Sequence, residues 1–340
     1  MIVLAGDVGG TNARLALVEL DGRGARITRD ARYRSRDYPG LTPIVGRFLA
    51  DAGSRPDRAC FGIACPVVGD DCTAPNLPWT VDARRLAADI GIPRTAIIND
   101  FIAVGYGIEL LGPSDLATLQ EGAPTPRGPI ALIGAGTGLG QGFLIWEGDH
   151  YRALASEGGH GDFAPSGEVQ RGLLLHLRRQ FGRVSWERLL SGPGIVNAYR
   201  YLLASGVAPE RTVVHDEMEK EDPAMVISRH GTAKTDCLSD RALDLFCQIF
   251  GAQAGNLALT VVSTGGVYLA GGIAPRLIER LRSGLFLNAF RNKGRMSELL
   301  SRIPVHVIMN PNVGLLGAAA VAGGWIEGGA PGAGWVTTGL

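Results

Sequence analysis

Three kinds of side chain stand in settings where they could do chemistry. Asn99-Asp100 lies between the apolar run Ala96–Ile98 and a helical pattern that begins at Phe101. A carboxylate at such a junction can cap the helix or accept a hydroxyl proton during phosphoryl transfer. The two roles are compatible, because a cap position fixes the direction of the carboxylate. Glu157-Gly158-Gly159-His160-Gly161-Asp162 sets an acid and an imidazole in a glycine-rich loop. Groups at that separation can clasp neighbouring hydroxyls of a sugar. Glu187, within Ser185–Gly192, reads from its surroundings as a solvated helix face, with a further hydroxyl acceptor as the other reading.

Two glycine-rich turns supply a partner for such groups. Gly6-Asp7-Val8-Gly9-Gly10-Thr11-Asn12 follows the apolar run Ile2–Ala5, and Gly134-Ala135-Gly136-Thr137-Gly138-Leu139-Gly140 follows Ile130–Ile133. Each leads into a second strand-like stretch, Ala13–Val18 and Gly142–Trp146. A strand, a glycine turn and a strand can hold phosphate, since backbone N–H groups converge on anionic oxygens without interference from Cβ. Asp7 can hold hydrated Mg²⁺, and the Thr11 hydroxyl can meet phosphate. A third pair, Gly271-Gly272, follows Val267–Leu269 and leaves room for a flat ring such as adenine. Other phosphate motifs fail. The chain has no Gly-Lys dipeptide and therefore no Walker A loop, and Leu139 stands where a dinucleotide fingerprint needs glycine.

The elements that must position these residues are short apolar runs alternating with helical patterns, the mark of an α/β architecture. Helical segments are expected at Leu41–Ala52, Val81–Ile90, Phe101–Leu110, Val169–Phe181, Ser185–Leu190, Gly194–Ser205, Asp240–Val262, Pro275–Arg282 and Gly314–Gly323. The stretch Pro209–Asp240 reads as loop with a short exposed helix. Glu121–Pro129, rich in proline and glycine, cannot be regular structure and puts a domain boundary at about residues 110–128. The expected division is a small domain, 1–110, completed by a helix near 312–325, and a large domain, 111–311. Of 340 residues 46% are hydrophobic, and 33 basic residues balance 33 acidic ones. That balance argues against a nucleic-acid or anionic-membrane binder. Leu245–Pro275 carries no charge, yet its polar residues and Gly265-Gly266 favour a buried helix and strand over a membrane span. Five cysteines without metal-ligand spacing read as reduced thiols of a cytoplasmic protein.

Taken in order, GDVGGTNARLAL (6–17), IACPVVGD (63–70), IINDF (97–101), GAGTGLG (134–140), EGGHGDFAP (157–165), ERLLSGPGIVN (187–197) and LAGGIAPR (269–276) resemble the bacterial glucokinase family. The resemblance runs from the N-terminus to about residue 317. It implies the two-lobed, actin-like ATPase (ribonuclease-H-like) fold with an interlobe active-site cleft, and the reaction of Mg-ATP with D-glucose to give glucose 6-phosphate. By position it makes Asp100 the catalytic base. Asn76, Asn99, Glu157, His160 and Glu187 become partners of the other sugar hydroxyls. Gly6, Asp7, Val8, Gly9, Gly10, Thr11 and Asn12 become the first ATP segment, Gly134, Gly136, Thr137 and Gly138 the second phosphate loop, and Gly271 with Gly272 the adenosine contact. A homodimer is also implied. The prolines flanking Asn76 depart from the family pattern, and the cysteine-rich zinc motif of the related ROK family is missing. The competing readings are a kinase for another hexose or an amino sugar, a non-catalytic sugar-sensing regulator on the same fold, and an ATPase that performs mechanical work.

Overall fold

The computed structural model describes residues 1–325, apart from residues 23, 66, 69, 70 and 74–78. Asn76 and the glycine-rich tail with Trp335 lie outside the described residues. The chain divides into two units. One comprises Met1–Asp115, Leu144–Ala155 and the chain from Asn310; the other comprises Leu116–Phe143 and Ser156–Met309.

The first unit is built on a five-stranded sheet in the order Gly24–Arg34, Asn12–Asp21, Ile2–Val8, Arg58–Ile63, Arg94–Asn99. The first three strands pair antiparallel and the last three parallel. Val3, Leu4 and Ala5 of the central strand are fully buried, as a strand covered on both faces requires. Helix Leu41–Ala52 turns Leu41, Ile44, Val45 and Phe48 towards Leu4, Leu15 and Phe61. That is the helical spacing of an amphipathic stripe, and Gly53 ends the helix in the left-handed conformation. Helices Asp100–Ile108 and Val313–Gly323 cross at a distance only glycine allows. A Cβ on Gly107 would overlap the Val313 carbonyl, and one on Gly317 the Ala103 carbonyl.

The second sheet has six strands in the order His150–Ser156, Leu139–Glu147, Ile130–Ala135, Gly266–Ala270, Val305–Ile308, Leu116–Gln120. Its core is organised by helix Cys237–Val261. Asp236 caps that helix, accepting the Ser239 N–H at 2.8 Å. The uncharged stretch 245–275 thus resolves into a buried helix and a strand, and no helix among the described residues is long and apolar enough to cross a membrane.

The structure departs from the sequence reading in several places, and the helix expected at Ser185–Leu190 is only a three-residue 3₁₀ turn, Trp186–Arg188. Strand Gly24–Arg34 was not legible, because this edge strand is mostly exposed and carries charged residues where an apolar run would mark it. The stretch 209–240 holds two helices, Thr212–Met218 and Pro223–Thr232. The second is defined by the Asp222 cap and proline in its first turn. The cysteines are not all free. A short antiparallel pairing of Val67 with Cys72 brings Cys65 and Cys72 to a Cα separation of 6.1 Å, where they form a disulfide. Cys60, Cys237 and Cys247 remain thiols.

Candidate functional site

In the first unit, the first glycine turn joins strands Ile2–Val8 and Asn12–Asp21. The Gly9 N–H closes it onto the Asn12 carbonyl at 2.9 Å. Ser35, fully buried, clamps it from outside: its hydroxyl donates to the Gly9 carbonyl at 2.8 Å and its N–H to the Thr11 carbonyl at 3.0 Å. Nothing in the sequence around Ser35 announces that role. Thr11 stands exposed at the tip, whereas Val8 belongs to the core. Gly6 lies inside the strand, where a side chain would run into the ring of Phe61. Its bareness serves packing. Asp7 faces Arg14 across the strand pair. Burial pushes its carboxyl above the ordinary range, and the charges of Arg14 and Arg32 pull it back. Gly314, at the start of helix Val313–Gly323, approaches the same carboxylate; a Cβ there would lie 3.7 Å from it.

Asn99 and Asp100 divide the helix junction between them. Asn99, not Asp100, is the N-cap. Its Oδ1 accepts from the N–H groups of Phe101 and Ile102 at 2.9 and 3.3 Å, and its Nδ2 donates to the Cys65 carbonyl at 3.1 Å. Asp100 is the first helical residue, half-buried, with Oδ1 accepting from the Phe101 N–H at 3.0 Å. Gly62 makes room for it, since a Cβ on Gly62 would sit 3.5 Å from the Asp100 Cα and 2.9 Å from the Ala103 Cβ.

In the second unit, the other glycine turn joins Ile130–Ala135 to Leu139–Glu147, with the Gly136 N–H closing onto the Gly138 carbonyl at 2.9 Å. Thr137 is exposed at its tip, the counterpart of Thr11, while Gly134 is buried within the strand. Gly271 has φ of 80°, and a Cβ there would collide with Ala135. Both constraints select glycine. Gly272 beside it is exposed with open space around its α-carbon.

The loop 157–163 is zipped to the segment 184–188. Phe163 donates its N–H to the Val184 carbonyl and Trp186 to the Gly161 carbonyl, each at 3.0 Å. The Phe163 and Trp186 rings meet edge to face, 5.2 Å apart. This pairing gathers three of the expected groups. His160 Nε2 lies 3.7 Å from Glu157 Oε2, and its Nδ1 lies 3.9 Å from Glu187 Oε1. Glu157 and His160 are exposed. Glu187 is not the solvated face that local sequence favours. It is about one-third exposed, and its Oε2 accepts the Leu139 N–H at 3.0 Å.

The segment after Glu187 explains its own sequence. Ser191 accepts the Gly194 N–H as N-cap of helix Gly192–Ala204 and donates to the Glu187 carbonyl. Asn197 reaches back to the Arg188 carbonyl at 2.9 Å, and the Gly192 N–H bonds to the Gly136 carbonyl at 2.9 Å. Ser191 followed by Gly-Pro is a readable start signal for that helix; its tie to Glu187 is not.

Comparison with known proteins agrees with this arrangement. The family model described as Glucokinase matches residues 4–324. A glucokinase of Nostoc punctiforme is 46% identical over 336 residues, covering 94% of this chain and 98% of its own. The crystal structure of a glucokinase from an Antarctic psychrotroph superposes with a TM-score of 0.81 at 29% identity, covering 95% of this chain and 98% of its own. A ROK family glucokinase from Streptomyces griseus, solved in complex with glucose and AMPPNP, shares the fold with a TM-score of 0.68 at 20% identity, covering 95% and 99%. The two sheets are therefore those of the actin-like sugar-kinase fold. Matched over nearly its whole length by sequence and by fold, the chain belongs to the glucokinase family, the hexose-phosphorylating enzymes.

Proposed function

We propose that the chain transfers the terminal phosphoryl group of ATP to the 6-hydroxyl of D-glucose, with Asp100 as general base. The observation that carries this reading is the fixing of Asp100 at the head of its helix. Asn99 supplies the cap, and Asp100, as the first helical residue, has its carboxylate directed by the helix start, with Oδ1 accepting the Phe101 N–H. Glu157, His160 and Glu187 hold the remaining hydroxyls. At separations of 3.7 and 3.9 Å, each pair can be bridged from the side by one hydroxyl oxygen in contact with both atoms. Asn99 and Asn76 complete the proposed sugar contacts.

Gly9 and Gly136 give their N–H groups to their own turns. The phosphates then fall to the exposed tips, Thr11 with Gly10 and Asn12, and Thr137 with Gly138. Gly272, with open space around its α-carbon, leaves the proposed adenosine side uncrowded, and Gly271 makes the turn that leads to it. Among the described residues no cluster of three or more His, Cys, Asp or Glu could hold a metal by itself. That fits Mg²⁺, which keeps its waters and binds through one or two carboxylates plus substrate phosphates. Asp7 is the carboxylate for it, and the ion would neutralise charge on the phosphoryl oxygens. The chemistry left to the chain is positioning: Asp100 takes the 6-hydroxyl proton as the oxygen attacks in line, and the threonine tips hold the leaving diphosphate.

This reading treats residues 1–110 with 312–325 as the small domain and 111–311 as the large one, in a cytoplasmic homodimer whose stoichiometry sedimentation can check. The decisive experiment is a coupled ADP-release assay with several donors and hexoses. Asp100→Ala should lower kcat by a factor on the order of 10² or more and leave glucose affinity within about tenfold. Near-normal turnover in that variant would remove Asp100 from the mechanism.

A further inference from the structure

Three glycines of the second unit mark where the phosphate turn and the strand after it meet Glu187 and the loop 157–160, and none of them has positive φ. A Cβ on Gly138 would lie 2.5 Å from Glu187 Oε2. One on Gly159 would overlap the Leu139 carbonyl, and one on Gly158 the amide oxygen of Gln141, itself buried. These residues are bare for the sake of space, and the space is filled by the other loop. Leu139 donates its N–H to Glu187 Oε2 at 3.0 Å, and its carbonyl packs against the bare α-carbon of Gly159. Gly192, five residues beyond Glu187, bonds the Gly136 carbonyl.

Glu187 therefore has two separate tasks for its two oxygens. Oε2 secures the amide that follows Gly138. Oε1 faces His160 at 3.9 Å, too far for a hydrogen bond, in the space assigned above to a sugar hydroxyl. Without a sugar, the carboxylate is fixed by one oxygen only. A sugar hydroxyl on Oε1 fixes the other, and the rotamer freedom that remains is lost once for both bonds.

We propose that Glu187 is a positioning residue as well as a sugar contact, coupling sugar occupancy to the shape of the phosphate turn through the Leu139 N–H. The inference rests on the sugar and nucleotide assignments proposed above. Glucose tightens nucleotide binding, and by linkage the nucleotide tightens glucose by the same factor. Gly138 is then glycine on account of Glu187 rather than of phosphate.

Hydrogen exchange on the intact protein tests this with glucose alone. Exchange should slow at residues 157–160 and also at 134–141, although no nucleotide is present. Protection at 157–160 with 134–141 unchanged would overturn the coupling and leave the sugar assignment standing. Protection at neither would overturn both. Calorimetry with a non-hydrolysable ATP analogue gives the magnitude. In the unsubstituted protein, saturating glucose should tighten the analogue on the order of tenfold, within the usual range of coupling between sites. Gly138→Ala, which pushes the carboxylate off Leu139, should bring that factor to about twofold or less. Should Gly138→Ala fail to fold, the pair Glu187→Ala and Glu187→Gln carries the test. The glutamine keeps an acceptor for the Leu139 N–H and retains most of the coupling, while the alanine loses it. Equal coupling in both would refute the role of Glu187.

Discussion

Replacing Asn99 by alanine separates what that residue does for the fold from what it does for a sugar. The side chain makes three hydrogen bonds, two as helix cap and one to the Cys65 carbonyl. Loss of an asparagine cap costs about 1 kcal/mol. The donor withdrawn from the Cys65 carbonyl adds roughly 1 kcal/mol, since the residue is buried. The sum, about 2 kcal/mol, lowers the melting temperature of a unit of about 150–250 residues by roughly 4–8 °C. Differential scanning calorimetry measures it, with Asn99→Asp as the control. Aspartate keeps the cap acceptor and loses the Nδ2 donor, so its loss should be about half as large. Alongside, kcat should fall in Asn99→Ala, because Asp100 loses the neighbour that fixes its direction. If melting is unchanged while only the KM for glucose rises, Asn99 is a sugar contact and nothing more, and the division of labour at the junction is wrong.

Other outcomes follow from the same structure. Gly317→Ala places a methyl group against the Ala103 carbonyl and should destabilise the first unit by about 1–3 kcal/mol in urea unfolding. Burial raises the Asp7 carboxyl, so its ionised form costs stability in the folded state, and this cost is absent below the ordinary carboxyl range and grows as pH rises through the folded value. Asp7→Asn should accordingly raise the melting temperature near neutral pH, with the gain fading in acid, and should abolish Mg²⁺-dependent turnover. Alkylation of the denatured, unreduced protein should label Cys60, Cys237 and Cys247, and mass spectrometry after reduction should add Cys65 and Cys72.

Legibility followed the range of the interaction. Helix Leu41–Ala52 could be read to the residue because its apolar stripe and its glycine stop are both local. The glycine turns were legible as turns, and Asp100 as a carboxylate at a helix start. What the local pattern missed lies in contacts between distant segments. Ser35 clamps a turn 26 residues away, and Glu187 accepts an amide 48 residues away. No periodicity records such a pairing. Gly158 and Gly159 were visible, but their reason was not: they answer to Gln141 and Leu139, not to a positive φ. Edge strand Gly24–Arg34 escaped for the opposite reason, being too exposed to need an apolar pattern.

The crossing of helices Asp100–Ile108 and Val313–Gly323 also sets an order on synthesis. Helix Val313–Gly323 packs against strands Ile2–Val8 and Arg58–Ile63, and its first turn lies by Asp7. A nascent chain of 115 residues already holds every strand of the first sheet. It emerges from the ribosome without the helix that covers them. The second unit, complete at Met309, can close before the first has its last element. The half of the protein that is translated first is therefore finished last, and its exposed apolar strands are what a chaperone would meet in the interval.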